Sequence, residues 1–179
     1  MGIIRRSFIH LNKRNFVLLF KSLIRPHLEY MNQIWSPHKK KDIQEIESVQ
    51  RRATKLVPEL KNKTYQERLK ILELPTLVYR RLRGDMIETY KIINIYDSNA
   101  VPNITKESHS RTRGHSQKID KRRSITNLRQ NFFTQRIVNT WNGLPNYVVT
   151  APSLDSFKRR LDSYWSDLEL KYNYEAPLA

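Results

Sequence analysis

Apolar residues recur along this chain at steps of three and four, the spacing that gathers them on one side of a helix. The fullest example is Asp42–Val57, DIQEIESVQRRATKLV, where Ile43, Ile46, Val49, Ala53 and Leu56 share a face. Asp42, Glu45 and Glu47 come first and Arg51, Arg52 and Lys55 last, an order that suits the helix dipole. Pro58 stops the helix because it cannot donate the next hydrogen bond. Arg51, Arg52 and Lys55 fall opposite the apolar stripe. Glu47 is placed to pair with Arg51 at i,i+4, whereas Arg51 and Lys55 repel at the same spacing. An outside anion would relieve that crowding; a solvated face at the helix C-terminus is the plainer account.

The same period marks further helices. Asn12–Ile24 carries Phe16, Leu19, Phe20, Leu23 and Ile24, with Asn12 or Asn15 as cap and Pro26 as a kink or end. Leu28, Met31 and Trp35 continue an apolar face on a short second helix, before the turn at Ser36-Pro37 and the run His38-Lys39-Lys40-Lys41. Thr64-Tyr65-Gln66-Glu67 is a capping box, opening a helix through Leu69 and Leu72. Thr76 caps a long helix to about Ile95, its buried face made by Tyr79, Leu82, Met86, Tyr90 and Ile93. From Asp97 to Thr126 the periodicity lapses into a polar, basic connection with room for a short hairpin around Arg113–Arg123. So long a loop inside a compact domain is unusual, which marks it as functional or as a boundary between two helical parts. Helix returns at Leu128–Trp141, with Leu128, Phe132, Phe133, Ile137 and Trp141 apolar, and ends at Gly143-Leu144-Pro145. Ser153 caps a last helix bearing Leu154, Phe157, Leu161, Trp165 and Leu168; Lys171–Ala179 reads as a frayed tail.

Charge sharpens the picture. In 179 residues, 33 Lys and Arg face 17 Asp and Glu, a formal charge of +16. Such an excess favours a polyanion, nucleic acid or an anionic membrane. No apolar run approaches the ~20 residues of a spanning helix, and Arg5 and Arg6 interrupt any secretory core, so the expectation is an intracellular protein, cytoplasmic or nuclear, without a membrane partner. The absence of cysteine excludes disulfides and thiolate chemistry. With four glycines, no Gly-rich phosphate loop can be assembled.

Five segments taken together resemble one family: SFIHLNKRNFVLLFKSLIRPHLEY, IWSPHKKKDIQEIESVQRRATKLVPEL, YQERLKILELPTLVYRRLRGDMIETYKI, RTRGHS and NFFTQRIVNTWNGLPNYVVTAPSLDSFKRRLDSYW. They are similar, in order and over nearly the whole chain, to the C-terminal region of reverse transcriptases of non-LTR (LINE-type, jockey-like) retrotransposons. The resemblance implies the thumb and post-thumb of an RNA-directed DNA polymerase, beginning at an internal methionine. In that family catalysis belongs to the palm, whose paired aspartates hold Mg²⁺ in two-metal nucleotidyl transfer. This chain has no Asp-Asp pair. The expectation is therefore a chain without catalytic, cofactor or metal residues of its own, Mg²⁺ belonging only to the missing palm. Palm and finger segments are expected as further partners.

Isolated chemistry elsewhere has plainer explanations. Asp42, Glu45 and Glu47 sit where a helix start favours acids. His109 and His115 match no zinc spacing and read as solvated polar residues. Trp35, Trp141 and Trp165 each lie at helical spacing with other apolar residues, as core positions do. Nucleic-acid binding is the stronger reading. Residues 106–136 hold nine cations against Glu107 and Asp120, and loose basic loops of this kind contact phosphate without reading sequence. The expected binding residues are Arg111, Arg113, Lys121, Arg122 and Arg123 in this stretch, with Lys39, Lys40, Lys41, Arg51, Arg52 and Lys55 adding to the surface.

The sequence thus predicts a mostly α fold: a thumb-like helical bundle over 1–96, a basic connection over 97–127, a helical pair over 128–170 and a tail over 171–179. The expected role is holding RNA or an RNA–DNA primer–template. The alternatives are a captured retroelement fragment serving as a helical protein-interaction adaptor, or a decayed element without function.

Overall fold

The computed structural model describes residues 11–96, 104 and 114–177. The protein is mostly α-helical, and among the described residues there is no strand. The helices are α1 (Lys13–Leu19), α2 (Arg25–Glu29), α3 (Asn32–Trp35), α4 (Lys40–Thr54), α5 (Tyr65–Leu72), α6 (Leu77–Asn94), α7 (Asn127–Gln130), α8 (Phe133–Asn142), α9 (Asn146–Val149) and α10 (Leu154–Tyr164). The sequence divides by texture at 96 and 127, whereas contacts group the chain into one unit of residues 1–81 with 168–179 and a second of residues 82–167.

In the first unit, α1 starts at Asn12, whose side chain accepts the Asn15 N–H. Phe16, Phe20 and Ile24 are buried, while Leu23 of the expected stripe is half exposed. Pro26 neither ends nor sharply breaks the helix. A π-helical turn over Phe20–Ile24 lets the Arg25 N–H reach the Phe20 carbonyl, and helix resumes at Arg25 with proline in its first turn, where a missing donor costs little. The capping box at Thr64 forms with both of its reciprocal bonds. Thr76 caps α6 through its hydroxyl, 3.1 Å from the Tyr79 nitrogen, and donates that same hydroxyl to the Leu170 carbonyl at 2.7 Å. Residues beyond 170 are no frayed tail. The Thr76 N–H donates to the Lys171 carbonyl, and Tyr172 packs against the core built by Phe16, Phe20, Leu69 and their neighbours.

Helix α4 is turned away from its expected orientation. Its most buried residues are Glu47, Gln50, Ala53 and Thr54, while Ile43, Ile46, Val49 and Leu56 are half-buried. Glu47 is fully buried. Its carboxylate accepts the Tyr65 hydroxyl at 2.6 Å and the Leu77 N–H at 3.0 Å, tying α4 to the first residues of α5 and α6. Burial raises its pKa, opposed by these two hydrogen bonds and by Arg81 and Arg51. Gln50 donates to the Pro75 carbonyl at 3.0 Å, and Thr54 accepts from Arg68 Nε at 3.0 Å.

The second unit packs α8 and α10 on the greater part of α6. Tyr90 and Phe157 stack with centroids 4.5 Å apart, and Trp141 lies 6.0 Å from Phe157. Ser153 caps α10, and Phe157, Leu161 and Trp165 are buried. The helix expected over Leu128–Trp141 is broken in two at Asn131–Phe132, which leaves Leu128 80 % and Phe132 49 % exposed. The Asp85–Arg136 pair joins α6 to α8 through two hydrogen bonds of 2.9 and 3.0 Å.

The Glu47 tie yields a stability prediction. Glu47→Ala strands a buried N–H and a phenol, so it should cost about 2–4 kcal/mol. The readout is a lower urea midpoint with an unchanged m-value. Glu47→Gln keeps an acceptor for Leu77 and should cost less than half as much.

Candidate nucleic-acid interface

The expected basic residues fall in both units, Lys39–Lys41, Arg51, Arg52 and Lys55 in the first and Lys121–Arg123 in the second. Lys39 occupies the N-cap position of α4, and Lys40 and Lys41 begin the helix, all three exposed. Three cations there oppose the helix dipole, so an anion at that end would be favoured over bare solvent. Arg52 and Lys55 are exposed near the other end of the same helix.

Arg51 departs from its expected role. Its guanidinium lies 5.4 Å from the Tyr65 ring centroid and 5.3 Å from that of Tyr174, and it donates to the Tyr174 hydroxyl. An arginine clamped between two aromatic rings is spent on holding the chain end, not on an external phosphate. The expected Glu47–Arg51 pair is not among the ion pairs formed; the Glu47 carboxylate is taken by Tyr65 and Leu77 instead. Arg111 and Arg113 lie outside the described residues, as does His109.

Lys121, Arg122 and Arg123 are brought together. They are exposed, and they line an open cleft of about 570 Å³ in the second unit. Arg136 forms part of its wall, its charge matched by Asp85. Among the described residues, no acidic side chain lines the cleft. The remaining wall is made of amides and a hydroxyl that composition and charge runs do not single out: Gln130, Asn131, Gln135, Asn139 and Ser124. Lys121 Nζ donates to Asn139 Oδ1 at 3.0 Å, and Asn131 Nδ2 donates to the Asn127 carbonyl at 2.8 Å. The spacing of four between Asn131, Gln135 and Asn139 was the one available sequence signal.

The connection leading into the cleft is a docked segment without the expected hairpin among its described residues. His115, expected to be solvated, is 3 % exposed. Its Nδ1 accepts the Gln117 N–H at 3.2 Å, so the ring proton sits on Nε2 and is donated to the Trp141 carbonyl at 3.0 Å. Trp141 returns its indole N–H to the Gln117 carbonyl at 2.8 Å. Two residues on, the Asn142 amide pairs with both the N–H and the carbonyl of Ile119, at 2.9 Å each, as a strand partner would. These bonds fix where Lys121–Arg123 emerge. Trp141 and Trp165 are core residues as expected; Trp35 is 38 % exposed, its indole donating to the Tyr30 carbonyl.

No group of three or more metal-ligating side chains occurs among the described residues, and no helix among them is long and apolar enough to cross a membrane. Comparison with protein-family models, with curated proteins and with solved structures finds no match for the chain.

The docked histidine sets a pH dependence. Burial lowers the His115 pKa, outweighing the Trp141 hydrogen bond that raises it. The unfolded chain therefore takes up this proton first. The stability it contributes is complete above about pH 6.5 and is lost as pH falls from there through the lower folded value. His115→Gln should be less stable than the parent near neutrality. It should also lose less of its unfolding free energy than the parent between about pH 7 and pH 5, as urea titrations at the two pH values would show.

Proposed function

We propose that this chain holds nucleic acid, RNA or an RNA–DNA primer–template, as the thumb and post-thumb of a non-LTR retrotransposon polymerase whose catalytic palm is a separate segment. The observation that carries the reading is the cleft in which Lys121, Arg122 and Arg123 converge with no acid among its lining residues. Cations gathered around a concave surface attract polyanions and release their counterions on binding. The uncharged amides of the wall add donors that suit phosphate and sugar oxygens. Lys39–Lys41, Arg52 and Lys55 supply secondary backbone contacts at the two ends of α4.

An adaptor role is favoured by a different observation. Tyr30, Met31, Ile34 and Trp35 are 75, 46, 70 and 38 % exposed within six consecutive residues of the first unit. Met31 holds this segment in the left-handed backbone region, with φ of 52°. An apolar cluster of this kind is a protein-docking surface, and the palm and finger segments of a polymerase are one class of partner for it.

Binding to structured RNA or duplex should weaken steeply with salt, the log–log slope reporting about 0.7–0.9 per phosphate neutralised. Lys121→Ala, Arg122→Ala and Arg123→Ala combined should flatten that slope by about two to three while leaving helical content unchanged. Arg51→Ala should leave the slope as it is and lower stability, which separates the clamped arginine from the binding ones. A triple variant with the parent's affinity and slope would remove the cleft from the interface. On the adaptor reading, removal of either basic cluster is without consequence, whereas Ile34→Asp with Trp35→Ala abolishes association with the partner. Incubated with primer–template, dNTPs and Mg²⁺, the chain alone should give no extension, because it carries no paired carboxylates for two-metal transfer.

A further inference from the structure

We infer that the cleft of the second unit takes one unpaired nucleotide, with its phosphate on the Lys121–Arg123 rim and its base against the Asn131–Gln135–Asn139 wall. The inference rests on the nucleic-acid reading above and names the form of nucleic acid that this site receives.

A bare phosphate accepts hydrogen bonds and donates none, so a site built only for it would need only donors. This wall offers more. Asn139 has its Oδ1 engaged by Lys121 and keeps its amide N–H groups. Asn131 has its Nδ2 engaged by Asn127 and keeps its Oδ1 as an acceptor. Gln135 is only 6 % exposed and lines the same cleft. Beside it, Ser124 Oγ is buried without a partner. Buried polar groups are ordinarily satisfied, so a hydroxyl left open on this cleft wall is a group available to a ligand. A nucleobase edge presents donors and acceptors together, which is what this mixed wall complements.

The setting supports a single strand. A volume of about 570 Å³ is that of a small-molecule site, able to enclose a nucleotide but not a duplex. A base inside it must be unpaired, because its hydrogen-bonding edge is turned to protein. The residue after Asn131 in the chain, Phe132, is 49 % exposed with the Arg129 guanidinium 5.3 Å from its ring centroid. An exposed ring backed by a cation is a stacking platform for the neighbouring base.

The test uses the full chain and fluorescein-labelled oligouridylate and oligothymidylate strands, free or annealed to their complements, followed by anisotropy. Free strands should bind more tightly than duplexes. Gln135→Leu and Phe132→Ala should each weaken the free strand about tenfold and leave the duplex within twofold. Phe132 and Asn139 are exposed, so if Gln135→Leu fails to fold, Phe132→Ala and Asn139→Ala decide the matter. Salt-sensitive binding of both forms, with the selected variants affecting them equally or not at all, would overturn the unpaired-nucleotide site and leave the phosphate-binding reading standing. Absence of salt-sensitive binding to either form would overturn both.

Discussion

A carboxylate withdrawn from water must be held by donors, and much of the first unit is arranged around holding one. Glu47 collects the Leu77 N–H and the Tyr65 hydroxyl, one orphan donor at the start of α6 and one phenol at the start of α5. Both helix starts are thereby positioned on α4. The buried row that follows, Gln50 to the Pro75 carbonyl and Thr54 to Arg68, continues the seam with polar bonds. Arg68 in turn donates to the Lys63 carbonyl at 2.6 Å, closing the turn that precedes α5. Such a seam fixes register more strictly than an apolar face, because a shift of one position leaves several buried groups unpaired at once. It is costly if any member is removed, which is why the loss is concentrated in Glu47 and not spread over the half-buried isoleucines.

The two units spend their arginines differently. Arg51 and Arg68 are built into the first unit: Arg51 stacks on Tyr65 and Tyr174, and Arg68 lies 5.6 Å from the Tyr65 centroid. Arg80 pairs with Glu29 through two hydrogen bonds, and Arg25 beside them is desolvated enough to bring its pKa down to about 10. In the second unit, Arg83 pairs with Asp162 and Arg136 with Asp85. The net charge of +16 is therefore unevenly spread: these arginines sit against carboxylates, while Lys121, Arg122 and Arg123 gather on one cleft that no carboxylate lines among the described residues.

What the sequence showed follows the range of the interaction concerned. Caps are local, and Thr64, Thr76 and Ser153 each cap as their flanking residues indicate. Periodic apolar residues identified the helices as helices, and Phe16, Phe20, Met86, Phe157 and Leu161 are buried as expected. The inward face of α4 was not legible, because Glu47 is buried by partners thirty and eighteen positions away, and an acid near a helix start has a sufficient local explanation. The π-helical turn before Pro26 was hidden for the same reason: proline marks where a bond is missing, not how the chain absorbs it. His115 looked like one polar residue among many, and its burial depends on the Trp141 carbonyl twenty-six positions on. Of the candidate site, the cationic rim was legible from charge alone, while the amide wall required knowing that Asn131, Gln135 and Asn139 face the same cleft as Ser124.

The break between α7 and α8 connects these two levels. A continuous helix from Leu128 to Trp141 would have carried Leu128 and Phe132 on the stripe of Phe133, Ile137 and Trp141, a wholly structural use of the segment. The chain instead takes extended backbone at Phe132, with φ of −65° and ψ of 147°, and α8 begins without a side-chain cap at that residue. Some compensation is visible, since Arg136 Nη1 donates to the Asn131 carbonyl at 3.3 Å across the break. What accompanies the break is a cleft: residues 121–124 and the end of α7 face the polar side of α8, where Gln135, Arg136 and Asn139 line the wall. An uncapped start and an exposed phenylalanine are each mildly unfavourable in a chain that only has to fold. They coincide at one residue, Phe132, which follows Asn131 of the cleft wall and so joins the backbone break to the polar face of α8.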